Sequence, residues 1–235
     1  ITIVIESGKW ELEVALNTGE EESIEALKKW WDENGKPLAT AIVFVLAGYG
    51  GWLFWQNGQI AASDAASDVY EEILVLALTE PGTPVSDEES ARILELSREL
   101  MQAHQDTVYA RYGALFAAQQ HVVNADLDAA EESLRWILEN PRSGFFDEED
   151  EGLVLTATLR LGRILLSKGE AENALTIVNN VDPKAFEAGF SELRGDIYVT
   201  MDRFLDARDS YVASQQAGSN SEALQMKLDE LPNES

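Results

Sequence analysis

Cysteine is absent from this chain, and histidine occurs only at His104 and His121. Without thiols there is no disulfide framework, dithiol redox centre or thiolate metal site, and two imidazoles are too few for a histidine-rich one. Basic side chains are scarce as well: 17 Lys and Arg stand against 43 Asp and Glu, a formal net charge of -26. Such a surface repels nucleic acid and anionic lipid, so the bulk of the chain is expected to bind neither and to favour basic or neutral partners. No stretch is low-complexity. Hydrophobic residues at 45% of 235 positions leave room for a sizeable core in one or two domains.

One stretch lacks charge altogether, LATAIVFVLAGYGGWLFW at 38–55. As a helix it extends roughly 27 Å at about 1.5 Å per residue, close to the ~30 Å hydrocarbon thickness of a bilayer. Its few polar groups define no single face, unlike those of a surface helix. Trp30 and Trp31 with Lys36 on one side, and Trp52 and Trp55 on the other, suit the headgroup level as interface anchors. A cleavable signal would place its apolar region close to a short basic N-terminus, whereas here an acidic segment of more than 30 residues precedes it. The stretch therefore reads as a single transmembrane helix over 37–55, with a cleavable signal or a core helix as the alternatives. Lys28, Lys29 and Lys36 precede it and no basic residue follows before Arg92, which predicts a cytoplasmic N-terminus and, in a Gram-negative cell, a periplasmic C-terminal part. Ala47, Gly48 and Gly51 offer a small-residue surface for a partner helix within the membrane, the alternative being that glycine is simply common in spans.

Before the span, EEESIEALKKWWDENGK sets Ile24, Leu27 and Trp31 at helical spacing, an amphipathic helix over 20–36. Asn34-Gly35 predicts that this helix stops, and Pro37 that a new one begins. Earlier still, residues 1–19 form a leader of unassigned structure in which the alternation around Ser7-Gly8-Lys9 suits a hairpin.

Beyond the span the periodicity is helical throughout. Extension and capping helices are expected over 56–106, the first closed by Pro81-Gly82-Thr83-Pro84, the second opened by the serine cap and acidic first turn of SDEESARILELSRELMQAH. A repeat follows. Gly162 and Gly195 are 33 positions apart, as are Ala174 and Ala207, and in each copy the alanine comes 12 residues after the glycine. Small residues at these places let the two helices of a hairpin approach, while Leu165, Tyr198, Val178 and Tyr211 fill the space around them. This is the tetratricopeptide pattern, with a period of about 34 residues. Ala118 and Ala130 mark an earlier copy, offset by 44 positions, which requires SGFFDEEDEG to be an insertion. The expectation is an all-α protein with three tetratricopeptide-like repeats over 107–218 (107–141, 152–183 and 184–218) and a C-terminal capping helix and tail over 219–235.

With EALKKWWDENGKPLA leading into the span, then YGALFAAQ, ADLDAAEESLRWILEN, LRLGRILLSKGEAENAL, ELRGDIY and SEALQMKLDEL in order, the chain resembles the YfgM-like ancillary subunits of the SecYEG translocon. Residues 1–19 and the acidic insert at 147–151 depart from that pattern. The resemblance implies a single-pass inner-membrane protein with a periplasmic tetratricopeptide-like domain. It implies association with the SecYEG translocon and with a membrane-anchored periplasmic chaperone similar to a prolyl isomerase, and assistance to exported polypeptides as they fold. A tethered scaffold for an envelope-stress or signalling complex is the alternative.

No constellation points to an enzyme or a cofactor. The histidines are 17 positions apart without metal-ligand spacing, FDEEDE lacks the alternating ligands and glycine of a calcium loop, and GYGG is followed by no lysine-serine pair. Binding is the better reading. In a tetratricopeptide stack the first helices line a concave face, which places Tyr112, Leu115, Gln119 and Val122 there from the first copy, Leu159, Arg163 and Leu166 from the second, and Val199 from the third. The face lacks a lysine-rich clamp, so an extended apolar segment is a more natural ligand than a C-terminal carboxylate. Packing of these residues against neighbouring repeats or against the helix at 61–78 is the competing explanation.

Overall fold

The computed structural model describes residues 18–78, 85–141 and 150–232. Within them every regular element is helical: α1 (Thr18–Ala77), α2 (Asp87–Ala103), α3 (Val108–Val123), α4 (Leu127–Glu139), α5 (Glu151–Ser167), α6 (Ala171–Asn179), α7 (Glu187–Thr200), α8 (Phe204–Gln216) and α9 (Glu222–Glu230), with a 3-10 turn at Lys184–Phe186. The hairpin expected near Ser7, the stop at Pro81 and the acidic insert up to residue 149 lie outside the described residues. The chain forms two compact units, 1–59 and 60–235.

In the first unit α1 corrects one expectation. The helix does not stop at Asn34-Gly35 but runs on with Pro37 inside it. Proline removes one N–H from the ladder. Around that gap the polar side chains bond back into the helix, Asn34 Nδ2 donating to the Trp30 carbonyl at 3.0 Å and Thr40 Oγ1 to that of Lys36 at 2.9 Å. Asn34 thus bonds within its helix instead of ending it. Gly35 is covered by the Trp31 ring, 3.1 Å from where a Cβ would stand. From residue 36 to 55 every side chain is exposed, Phe44 and Phe54 by 73% and 83%, so this apolar surface finds no cover within its own unit.

In the second unit the last turns of α1 bury Ala66 and Ile73 against Ile93, Leu96 and Leu100 of α2 and Ala110 of α3. Burial of each such Ile or Leu contributes about 1.5–3 kcal/mol. Helix α2 begins at Ser86 with a complete capping box, the Ser86 hydroxyl accepting from the Glu89 N–H and the Glu89 carboxylate accepting from the Ser86 N–H. Three helix pairs follow, α3/α4, α5/α6 and α7/α8. Their main core runs from Ala114 and Ala118 through Leu134, Leu161 and Leu165 to Phe190 and Ile197, and α9 closes the far end with Leu224 and Leu228 against Ala207 and Tyr211.

The turns within the three pairs are built alike. Ala125, Gly169 and Asp202 hold φ of 58°, 80° and 56°, the left-handed region. The residue after each donates its N–H five residues back, Asp126 to His121, Glu170 to Leu165 and Arg203 to Tyr198. These turns stand 44 and 33 positions apart, the spacing that the small-residue pattern requires. The glycines confirm the packing. A Cβ on Gly162 would meet Val178 at 3.0 Å and Leu193 at 2.9 Å, and one on Gly195 would enter the Tyr211 ring.

Candidate functional site

The surface on which binding was expected belongs to the first helices, α3, α5 and α7. Two have side-chain caps: Thr107 Oγ1 accepts from the Ala110 N–H at 3.3 Å, and Asp150 Oδ1 from the Leu153 N–H at 3.0 Å. Asp150 also accepts from the Tyr112 hydroxyl at 2.8 Å, joining α5 to α3. The Leu153 N–H, then the Tyr112 hydroxyl and the nearby Arg111 guanidinium, hold the Asp150 carboxyl below its ordinary range despite partial burial. The same hydrogen bond raises Tyr112.

The expected groove residues separate into two groups. Tyr112 is half-buried under Tyr70 of α1, ring centroids 5.9 Å apart, in an aromatic cluster that includes Tyr109 and Phe116. Leu115, Leu159 and Leu166 are half-buried against the main core, with Leu159 lying over Gly189 of α7, and Val199 packs towards Tyr211 and Leu224. Gln119, Val122 and Arg163 are exposed and meet at one cleft between α3, α4 and α5, with a volume near 470 Å³. Its floor is Ala118, Leu134 and Ile164, all buried; its rim adds Val123, Leu127, Arg160 and Ser167. Sequence reasoning did not name these rim residues, although Arg160 lies one helical turn before Arg163 and Val123 adjoins Val122.

Charge around the cleft is uneven. Among the described residues most basic side chains elsewhere in the repeats are held by carboxylates: Lys168 by Asp128 and Glu131, Arg135 by Glu131, Lys184 by Glu151, Arg194 by Glu187, Arg203 by Asp206 and Lys227 by Glu192 and Asp196, while Arg208 donates to the Pro232 carbonyl. The Asp128 and Glu131 carboxylates raise Lys168, and the Lys168 ammonium lowers Glu131. Arg160 and Arg163 form no ion pair among the described residues, and no carboxylate lines the cleft there.

In the first unit Trp30, Trp31, Lys36, Trp52 and Trp55 are all exposed on α1, as are Ala47, Gly48 and Gly51; a Cβ on either glycine would meet nothing within 4 Å. One window of 18 residues in this helix is apolar enough to cross a membrane, and 0% of it is buried. His104 caps the C-terminus of α2 and His121 lies in the last turn of α3, both half-buried. Among the described residues no group of three or more His, Asp or Glu is placed to hold a metal.

A family model of the tetratricopeptide repeat-like domain matches residues 28–233. Among curated proteins the chain is 31% identical over 215 residues to the ancillary SecYEG translocon subunit of Haemophilus influenzae, covering 92% of this chain and 98% of that one. The ancillary SecYEG translocon subunit of Escherichia coli K12 is 28% identical over 215 residues, covering 90% and 96%. Among solved structures, a tetratricopeptide repeat protein from Parabacteroides merdae is similar over 70% of this chain and 56% of that one, at 14% identity and a TM-score of 0.44.

Proposed function

This chain belongs to the family of ancillary SecYEG translocon subunits, and we propose that it works beside the translocon as a membrane-tethered, non-enzymatic binding protein that assists exported polypeptides as they fold. One observation supports this reading above the others: a fully exposed apolar helix window stands in the same chain as a stack of helical hairpins. The window crosses the inner membrane once. Lys28, Lys29 and Lys36 keep the N-terminal end in the cytoplasm, and the repeats lie in the periplasm. Tethering confines the repeats to the exit side of the translocon and so raises their effective concentration towards emerging chains.

Within this reading Ala47, Gly48 and Gly51 present backbone that a translocon helix can approach closely, with Trp30, Trp31, Lys36, Trp52 and Trp55 fixing the depth of the span. The face of α3, α5 and α7 receives either an exported segment or a membrane-anchored chaperone similar to a prolyl isomerase. No cofactor takes part.

The test is topology followed by proximity. Protease added to intact spheroplasts should digest the repeats, and carbonate should leave the full chain in the membrane. Photocrosslinkers at positions 47 and 51 should capture translocon subunits, and one at position 122 an exported chain or chaperone. Repeats protected in spheroplasts, or a chain that washes off in carbonate, would overturn the proposal.

A further inference from the structure

The cleft between α3, α4 and α5 combines features found together nowhere else in the described repeats: exposed apolar side chains and two arginines that form no ion pair among the described residues. Val122 and Val123 are 44% and 67% exposed at the C-terminal turn of α3, and Arg160 and Arg163 face them from α5. In a chain of net charge -26, no acidic side chain among the described residues lines this cleft. A volume near 470 Å³ accommodates one or two apolar side chains of a peptide and lies within the usual range of ligand sites.

We propose that this cleft binds an extended segment of a partner protein in which an apolar side chain adjoins side-chain carboxylates. The apolar group rests on Ala118 and Ile164 beside Val122 and Val123, and the carboxylates pair with Arg160 and Arg163. Guanidinium groups suit this task because their planar forks grip carboxylates in two-point contacts and tolerate partial dehydration. Charge more than about 8 Å away is screened at physiological salt, and the carboxylates beside the rim residue Leu127 are engaged, Asp126 by the Ala129 N–H and Asp128 by Lys168. A basic or neutral segment of the same apolar content loses the arginine contacts. The proposal deepens the translocon reading by giving the chemistry of what the repeats hold, and it rests on that reading only for where the segment is met.

The full chain in detergent is titrated against a short fluorescein-labelled peptide, amidated at its C-terminus, with Leu-Phe flanked by aspartates, and against twins carrying asparagine or lysine instead. Anisotropy should show the acidic peptide binding roughly tenfold or more tighter than either twin, with the advantage shrinking as salt rises. Arg160→Glu combined with Arg163→Glu should abolish the preference; both side chains are exposed, and an unchanged melting temperature checks the fold. The peptide twins and the salt series need no variant, so a misfolded double variant leaves the test intact. Equal binding of acidic and asparagine peptides overturns the proposal, as does undiminished preference in the folded double variant. A preference that appears only with a free peptide C-terminus assigns the cleft to terminal carboxylates and overturns it too. Translocon crosslinks from position 51 are scored in parallel: their loss with peptide binding intact defeats the functional reading alone, and their persistence without peptide discrimination defeats the cleft alone.

Discussion

Gly195 on α7 packs against the ring of Tyr211 on α8, so that the position admits no Cβ unless the ring moves, while the Tyr211 hydroxyl donates to Asp196 at 2.8 Å. Tyr211 is 2% exposed and hydrogen-bonded at its far end, so moving its ring disturbs packed neighbours.

Gly195→Ala therefore overpacks the third hairpin. Alanine gains about 1 kcal/mol in helix propensity, but forcing the ring aside costs about 1–3 kcal/mol. Thermal unfolding should show a lower midpoint, and adding Tyr211→Leu should recover part of the loss. An unchanged midpoint would mean that the ring moves freely.

Two of the three left-handed turn residues give predictions of opposite sign. Asp202 holds a φ of 56°, which aspartate tolerates better than most side chains but only glycine adopts without strain, so Asp202→Gly should raise stability by up to about 1 kcal/mol. Gly169 at 80° has its conformation freely, and Gly169→Ala should lower stability by a similar amount. Denaturant unfolding at constant m-value reads both.

Asp150 links acid stability to the junction of α3 and α5. Its carboxyl is held below the ordinary value by the Leu153 N–H first and the Tyr112 hydroxyl second. A depressed folded pKa gives stability that is full above the unfolded value of about 3.9 and lost as pH falls through the lower folded value. Asp150→Ala should cost about 1 kcal/mol at neutral pH, and the difference from wild type should close as pH falls below the unfolded value of about 3.9 and through the lower folded one. A gap that stays constant with pH would remove the carboxylate from the explanation.

Lys227 fastens α9 to α7 through Glu192 and Asp196, each at 2.8 Å. Burial lowers the Lys227 ammonium, yet the two carboxylate bonds outweigh it and its pKa is raised. That stability is fully present below the unfolded value of about 10.4 and is lost as pH rises through the raised folded value. Lys227→Met should loosen the end of the stack, leaving two carboxylates facing each other; Glu192→Gln in the same chain should relieve part of the loss. Hydrogen exchange in α9 is the direct readout.

How much was legible from residues alone depended on how local the cause was. Ser86 with Glu89 announces a helix start from four consecutive residues, and the Gly162/Ala174 and Gly195/Ala207 pairs reveal the hairpins because close helix approach demands small side chains wherever it recurs. The stop expected at Asn34-Gly35 does not occur, although both residues suit a helix end, because Asn34 bonds to the Trp30 carbonyl one turn back and the Trp31 ring covers Gly35. Of the groove residues, Gln119, Val122 and Arg163 reach the cleft, whereas Tyr112 is covered by Tyr70, a residue distant in sequence.

The sequence by itself determined the helical class, the repeat register and the uncharged stretch at 38–55, since each is a periodicity or composition carried along one strand of covalent neighbours. Only tertiary structure decided which side chains remained open. Whether a half-apolar helix face is buried depends on what lies across from it: α7 covers Leu159, α1 covers Tyr112, and the described residues put nothing over Val123 and Arg160. Packing partners come from distant parts of the chain, and no local pattern encodes their direction.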